Sequence, residues 1–278
     1  MIQVSSISEL NNSLNSLKKN RESIALVPTM GNLHKGHLLL VKEAEKLAQN
    51  VVVSIFVNPL QFGPNEDLSS YPRTLDQDIV KLKKTNCKLV FTPSEDIFSL
   101  DSLPVVDVGS IGKVLCGISR PIHFNGVATI VKELINLFNP EVAVFGKKDY
   151  QQLFIIKKLV RDFDLKTHII GVDTYRHRKG LAESSRNQYL TRDELKIAPN
   201  LYTTLLNAKE DIVEGTLALN SIEVKSINTL SALGFKVDYF KICCSKTLQT
   251  PQDRVKDLVI CVAAYLGKTR LIDNIEVL

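Results

Sequence analysis

The chain has 278 residues, 44% hydrophobic and 23% charged, a composition that excludes a disordered or collagen-like polymer and is enough for a sizeable core. Its formal charge of +5, from 35 basic and 30 acidic residues, is too small a surplus to point to nucleic acid, although it suits an anionic small molecule. No run approaches the ~18 apolar residues of a membrane-spanning helix, so no membrane partner is expected.

Taken in order, Met1 to Ser6 shows no basic segment followed by an apolar block, which argues against a secretory signal. Ile24-Ala25-Leu26-Val27, closed by Pro28, and Val51 to Val57, closed by Asn58-Pro59, are short apolar runs of the kind found in buried parallel strands. Leu38, Val41, Ala44 and Ala48 between them follow helical spacing, so residues 23 to 57 predict a βαβ unit. The alternation continues with a helix through Leu75, Ile79 and Leu82 before the strand Lys88 to Phe91. A helix from Val127 to Phe138 then precedes Val142 to Phe145, and one through Leu153, Ile156 and Val160 leads to Ile169 to Val172. This is the pattern of an α/β, Rossmann-like, doubly wound parallel sheet, whose ligands bind at the carboxyl ends of its strands. After residue 174 the pattern changes to two helices, around 192–213 and 220–233, and strands near 235–242, 257–265 and 270–277. The expected division is a Rossmann-like ligand-binding domain over 1–174 and a smaller α+β domain over 175–278 that covers the site. The five cysteines, at 87, 116, 243, 244 and 261, are odd in number and lack CxxC spacing, so they predict reduced thiols and a cytoplasmic location.

Four segments carry chemistry. The first is Pro28-Thr29-Met30-Gly31-Asn32-Leu33-His34-Lys35-Gly36-His37, at the junction of the first strand and the first helix. The i, i+3 spacing of His34 and His37 predicts both imidazoles on one helical face, beside a helix N-terminus whose N–H groups suit phosphate. Gly36 lets a flat group approach the backbone. The second segment is Asn58-Pro59-Leu60-Gln61, just beyond a strand end, where a neutral amide either binds a hydroxyl or carboxylate or caps its own turn. The third is Gly146-Lys147-Lys148-Asp149-Tyr150-Gln151-Gln152, with a cation for phosphate and a carboxylate for ribose hydroxyls. The fourth is Glu183-Ser184-Ser185-Arg186, a plausible phosphate clamp on a loop. His123 reads as packing its own loop, and no structural metal site is expected.

The first segment resembles the HxGH signature of the nucleotidyltransferase-like superfamily, whose histidines meet ATP phosphates during adenylyl transfer. The four segments in this order, through Arg270-Leu271-Ile272-Asp273-Asn274, resemble the pantothenate synthetase (pantoate–β-alanine ligase) family far more specifically. That resemblance implies ATP-dependent condensation of pantoate with β-alanine through pantoyl adenylate, with Mg²⁺ accompanying the nucleotide, and a homodimer. It implies His37, His34 and Lys148 as catalytic groups. Met30, Gly31, Asn32, Leu33, His34, Lys35, Gly36, His37, Gly146, Lys147, Lys148, Asp149, Tyr175 (through its backbone), Glu183, Ser184, Ser185 and Arg186 would line ATP. Gln61, Gln152 and Asn58 would hold pantoate, with Gln61 also meeting β-alanine. The chain departs from the family pattern at Lys147, where Glu is usual, at Cys116, Ile122 and Asn125, and at Glu183, where an apolar residue is usual.

Two other readings stay open on the residues. One is a small-molecule adenylyltransferase of the same superfamily that stops at nucleotide transfer. The other is an RNA-binding module on a synthetase-like fold, favoured by Arg176-His177-Arg178-Lys179 and opposed by the lack of a long basic stripe.

Overall fold

Strands rich in Val and Ile, buried on both faces, are stable only when helices cover each side of the sheet, and the first half of the chain supplies both. The computed structural model describes residues 1–278 other than 65, 99, 101, 102, 216, 252–255 and 278, with the backbone alone at residue 20. One unit comprises Met1–Lys147 with Gln152–Asp173, the other Lys148–Gln151 with Thr174–Leu278.

The first unit runs β1 (Ile2–Val4), α1 (Ile7–Leu17), β2 (Ile24–Thr29), α2 (Lys35–Ala44), β3 (Asn50–Ile55), α3 (Leu75–Leu82), β4 (Cys87–Phe91), α4 (Cys116–Ser119), α5 (His123–Phe138) and β5 (Val142–Gly146). Helix α6 (Tyr150–Asp162) and β6 (His168–Val172) follow. The strands form a parallel sheet in the order β1-β4-β3-β2-β5-β6. Its core includes Ala25, Val27, Val53, Val90 and Val144 on the sheet against Val41 and Ala44 of α2 and Leu82 of α3. Strand β2 runs on through Pro28 to Thr29 rather than closing at the proline. It pairs with β5 only at Ala25 and Leu26, so the missing amide proton of Pro28 falls beyond that ladder.

The second unit contains α7 (Arg192–Ile197), α8 (Asn200–Glu214), α9 (Leu219–Ala232) and the antiparallel strands β7 (Lys236–Cys244), β8 (Leu258–Leu266) and β9 (Thr269–Val277), in the order β7-β8-β9. The single helix expected around 192–213 is two helices, because Pro199 lacks an amide proton and cannot continue α7. Leu266 pairs with Thr269, leaving a two-residue hairpin loop in which Gly267 takes the left-handed φ (+56°) that such turns require. Leu205, Ile222, Phe240, Ile260 and Val262 build the core between helices and sheet. Phe240 is fully buried, so Phe240→Ala is expected to cost about 3–5 kcal/mol of unfolding free energy in urea titration, the range for an emptied aromatic site.

The five cysteines are free thiols. Burial pushes the Cys243 thiol up to about 11 and raises that of Cys87, whereas hydrogen bonds from the Thr247 hydroxyl and the Lys246 backbone lower that of Cys244. Because the thiolate is the nucleophile, iodoacetamide at mildly alkaline pH is expected to label Cys244 before Cys87 and Cys243, as read by peptide mass mapping. Faster labelling of Cys243 would contradict this assignment.

Candidate active site

At the end of β2 the Thr29 hydroxyl donates to the Ser54 carbonyl on β3 (2.9 Å) and accepts from the Gly31 N–H (3.2 Å). The chain then bends through two consecutive left-handed residues, Gly31 (φ +81°) and Asn32 (φ +48°). A Cβ on Gly31 would lie 3.1 Å from Ile55 Cγ2 and 3.3 Å from Asp78 Oδ2, so the position calls for glycine on both conformational and steric grounds. The N–H groups of Asn32 and Leu33 donate to the two carboxylate oxygens of Asp78, at 2.8 and 2.7 Å. Lys81 Nζ donates to the Leu33 carbonyl (2.7 Å) and lies 3.7 Å from Asp78 Oδ1.

The spacing of the two histidines predicts a shared helical face, and the structure brings them together differently. His34 is extended (φ −127°, ψ −179°) and precedes the helix as its N-cap. Its Nδ1 accepts from the Gly36 N–H (3.2 Å) and its ring also takes the His37 N–H, while His37 Nδ1 accepts from the His34 N–H (3.3 Å). The rings stack at 4.0 Å between centroids and 27° between planes. A ring nitrogen that accepts carries no proton, so this network assigns the Nε2–H tautomer to each neutral imidazole. The first-turn N–H groups of Gly36 and His37, which the motif offers to phosphate, are therefore engaged by His34. Nε2 is then the protonated nitrogen of each ring. Lys35 is exposed on the first turn of α2.

Beyond β3, buried Asn58 accepts from the Leu60 N–H through Oδ1 (3.1 Å) and donates from Nδ2 to Gln61 Oε1 and to the Gly126 carbonyl (3.0 Å each). It caps its own turn and also orients a neighbouring amide. With Gln61 Oε1 held there, Gln61 Nε2 faces Met30 Sδ at 3.1 Å, which links the amide turn to the histidine loop. Helix α5 approaches this turn so closely that a Cβ on Gly126 would lie 2.1 Å from the Leu60 oxygen. His123 braces the turn from the other side: Arg120 donates to its Nε2 (3.1 Å), so its Nδ1 carries the proton and donates to the Gln61 carbonyl (3.0 Å). Arg120 in turn forks onto the Glu66 carboxylate.

Strand β5, beside β2 in the sheet, ends at Gly146. The Lys147 ammonium that follows lies 2.9 Å from Asp173, which supplies its counter-charge. Gln152 lies half-buried in the first turn of α6. Lys148 and Asp149 belong to the second unit, where Asn274 Nδ2 donates to the Lys148 carbonyl (2.9 Å) and Lys148 Nζ is 3.9 Å from Asp149 Oδ1. Tyr150 donates to Glu276 (3.3 Å); burial, then the Glu276 charge, holds its phenol well above the usual tyrosine range.

Also in the second unit, the Tyr175 carbonyl accepts from the Glu183 N–H (2.9 Å), and Arg176 bridges to Ala182, closing the intervening basic loop. Arg176 is anchored by forked bonds to Asp273 (2.6 and 2.8 Å) and lies 3.6 Å over the Tyr202 ring. Glu183 lies 2.8 Å from His177 Nε2, so the acid that departs from the family pattern has a basic partner across the loop. The Ser184 hydroxyl caps the 3₁₀ turn Ser185–Tyr189 by accepting from the Arg186 N–H (3.3 Å).

The family model described as pantoate-beta-alanine ligase matches residues 2–276. The chain belongs to this family. It is 48% identical to a pantothenate synthetase of Shewanella amazonensis over 97% of this chain and 96% of that protein, and 46% identical to one of Marinomonas over 98% and 97%. Pantothenate synthetase from Thermus thermophilus has the same fold, with a TM-score of 0.92 at 40% identity over 100% of this chain and 99% of its own. A pantoate-beta-alanine ligase from Francisella tularensis, complexed with beta-gamma ATP and beta-alanine, gives 0.83 at 37% identity over 99% and 97%.

Within this ligase, sequence reasoning passes over Asp78, Lys81 and the Arg176–Asp273 pair. Asp78 had one visible signal: it shares the i, i+3, i+4, i+7 stripe of Leu75, Ile79 and Leu82, where a carboxylate is out of place unless something pairs with it. Asn58 orients Gln61 through a single hydrogen bond, from Nδ2 to Oε1. If Gln61 holds pantoate, as the family resemblance implies, Asn58→Ala is expected to raise the KM for pantoate about fivefold to tenfold, the worth of the one lost orienting hydrogen bond at ~1–1.5 kcal/mol, and to leave the KM for ATP nearly unchanged. Steady-state kinetics with each substrate varied in turn checks this.

Proposed function

We propose that this chain condenses pantoate with β-alanine in two steps at one nucleotide site. The observation that carries the reading is the stacked His34–His37 pair, with both Nδ1 atoms engaged by backbone N–H groups, joined through Met30 to the oriented amide of Gln61. In the first step a pantoate carboxylate oxygen attacks the α-phosphorus of ATP. A P–O bond forms as the bond to the β-phosphate oxygen breaks, and pyrophosphate leaves. In the second step the β-alanine amine attacks the acyl carbon, AMP departs with the bridging oxygen, and the nitrogen loses a proton.

Neither step needs a covalent protein intermediate, so the protein contributes position and charge. The Nε2–H groups of His37 and His34 donate to phosphate oxygens as negative charge gathers there, and Lys148 adds a point charge. Gly146, Lys147, Asp149, the Tyr175 backbone and the loop of Glu183, Ser184, Ser185 and Arg186 complete the nucleotide contacts. Gln61 and Gln152 hold pantoate. Because Asn58 occupies Gln61 Oε1, the Gln61 amide offers N–H rather than oxygen to its substrate, which suits an acceptor such as a carboxylate or hydroxyl oxygen. Gln61 also meets β-alanine. Asn58 thus serves pantoate through Gln61.

Mg²⁺ would be held chiefly by the nucleotide's own phosphates rather than by a dedicated protein cage, and would supply positive charge against the phosphate oxygens. The carboxylate that meets this loop, Asp78, already accepts from the Asn32 and Leu33 N–H groups and the Thr74 hydroxyl, which fits a metal carried by the nucleotide. On this reading residues 1–174 bind nucleotide and pantoate, and residues 175–278 form the smaller covering domain. Among the described residues no helix is long and apolar enough to cross a membrane. The free thiols accord with the cytoplasmic reading, and the homodimer rests on family resemblance.

Purified protein is expected to release AMP only when ATP, pantoate and β-alanine are all supplied, and pyrophosphate with ATP and pantoate alone under single turnover. Accumulation of a stable adenylylated product that β-alanine does not discharge would select the adenylyltransferase reading instead. His37→Ala is expected to slow single-turnover adenylation about a hundredfold to a thousandfold, the loss typical of one preorganised donor, with an unchanged far-UV circular dichroism spectrum. Near-normal adenylation in that variant would remove the role assigned to His37.

A further inference from the structure

We propose that Asp78, backed by Lys81, is a positioning residue that sets the geometry of the two catalytic imidazoles by clamping the backbone of Asn32 and Leu33. The inference rests on the role assigned above to His34 and His37, and it concerns a side chain outside the motif that contains them.

Asp78 is fully buried and lies on the apolar stripe of α3. Such a carboxylate persists only where its lone pairs are satisfied. Its oxygens accept from the Asn32 N–H, the Leu33 N–H and the Thr74 hydroxyl (3.2 Å). Two of these three donors belong to the loop immediately before His34. Lys81, one turn further along α3, supplies the counter-charge and takes the Leu33 carbonyl. The peptide groups around Leu33 are thus held on both their N–H and their C=O sides by one helix.

The loop needs an external hold. Gly31 and Asn32 are consecutive left-handed residues, a conformation that a free non-glycine chain rarely keeps. The His34 N–H that follows is itself half of the reciprocal imidazole cap. If the Asn32–Leu33 peptide turns, the His34 N–H leaves His37 Nδ1, and the bond that keeps a proton off that nitrogen is lost. Only a carboxylate performs this clamping: an asparagine has one oxygen for two diverging N–H groups, and its NH₂ would face a donor.

The test uses full-length enzyme with Asp78→Asn, Lys81→Met and Thr74→Val, each read in two ways. Two-bond ¹H–¹⁵N correlation spectra report the tautomer of each of the five histidines, and rapid quench reports pantoate-dependent pyrophosphate release. Wild-type enzyme is expected to show His34 and His37 in the Nε2–H form. A folded Asp78→Asn variant is expected to lose that uniform state at these two histidines, keep the spectra of His168 and His177, and slow adenylation about a hundredfold, as for a misplacement of about 1 Å. Lys81→Met changes a partly exposed side chain, so folding is not at risk, and it is expected to shift the same two histidines in the same direction by less. Thr74→Val removes one bond to Asp78 and is expected to do likewise. Unchanged His34 and His37 tautomers with unchanged adenylation overturn the proposal, in Asp78→Asn if it folds and in Lys81→Met and Thr74→Val if it does not. Absence of pantoate-dependent pyrophosphate release from wild type would instead overturn the ligase reading, while the tautomer measurement would still decide the role of Asp78.

Discussion

The winding of the parallel sheet reverses between β2 and β5, and the loops carrying the first and third candidate segments leave the sheet at that reversal. Strand-to-strand crossovers are right-handed, so connections leaving β2 towards β3 and β5 towards β6 go to opposite faces of the sheet. In sheets of this kind ligands bind outside the carboxyl ends of the two strands where the winding reverses. Thr29, Met30 and Gly31 emerge at one of those ends and Gly146 and Lys147 at the other. The ladder from Ile24–Asn50 to Thr29–Ile55 and the Thr29–Ser54 bond fix where the first loop begins.

The start of α2 is unusual in how its N–H groups are satisfied. Helices α1 and α7 begin with ordinary capping boxes, Ser6 with Glu9 and Thr191 with Glu194. At α2 both partners are histidines, a side chain outside the usual set of N-caps. The exchange has a chemical consequence. A hydroxyl or carboxylate cap satisfies the backbone and does nothing more, whereas an imidazole cap uses one ring nitrogen on the backbone and carries its proton on the other. The cap therefore sets the tautomer, and the tautomer sets what the ring offers to an anion. His123 is locked the opposite way, with Nδ1 protonated, because its neighbours are an arginine donor and a carbonyl acceptor.

Much of this was legible in the residues. The apolar runs at 24–27, 51–57, 88–91 and 142–145 announce buried strands, and the helical spacing between them makes a parallel sheet the consistent solution. The two histidines, the Asn58–Gln61 pair and the 146–152 run all fall at strand ends, where such a sheet binds its ligands. Strand β1 escaped notice because three residues are too few for a period to show. The break at Pro199 was visible but outweighed by the continuous helical pattern around it.

By itself, the sequence determined the class of fold and, through the order of four candidate segments, the family. These are properties of local pattern: periodicity, turn residues and spacing within a few positions. Tertiary structure alone decided which distant atoms meet. That Asp78 faces residues 46 and 45 positions earlier, that Arg176 finds Asp273, and that Asn58 turns one amide of Gln61 inward are contacts between segments distant in the chain. No local pattern encodes them, because a hydrogen bond's direction depends on where two backbones come to rest after the sheet has formed. Tautomers follow the same rule, since a histidine's proton sits wherever its neighbours leave an acceptor unmet.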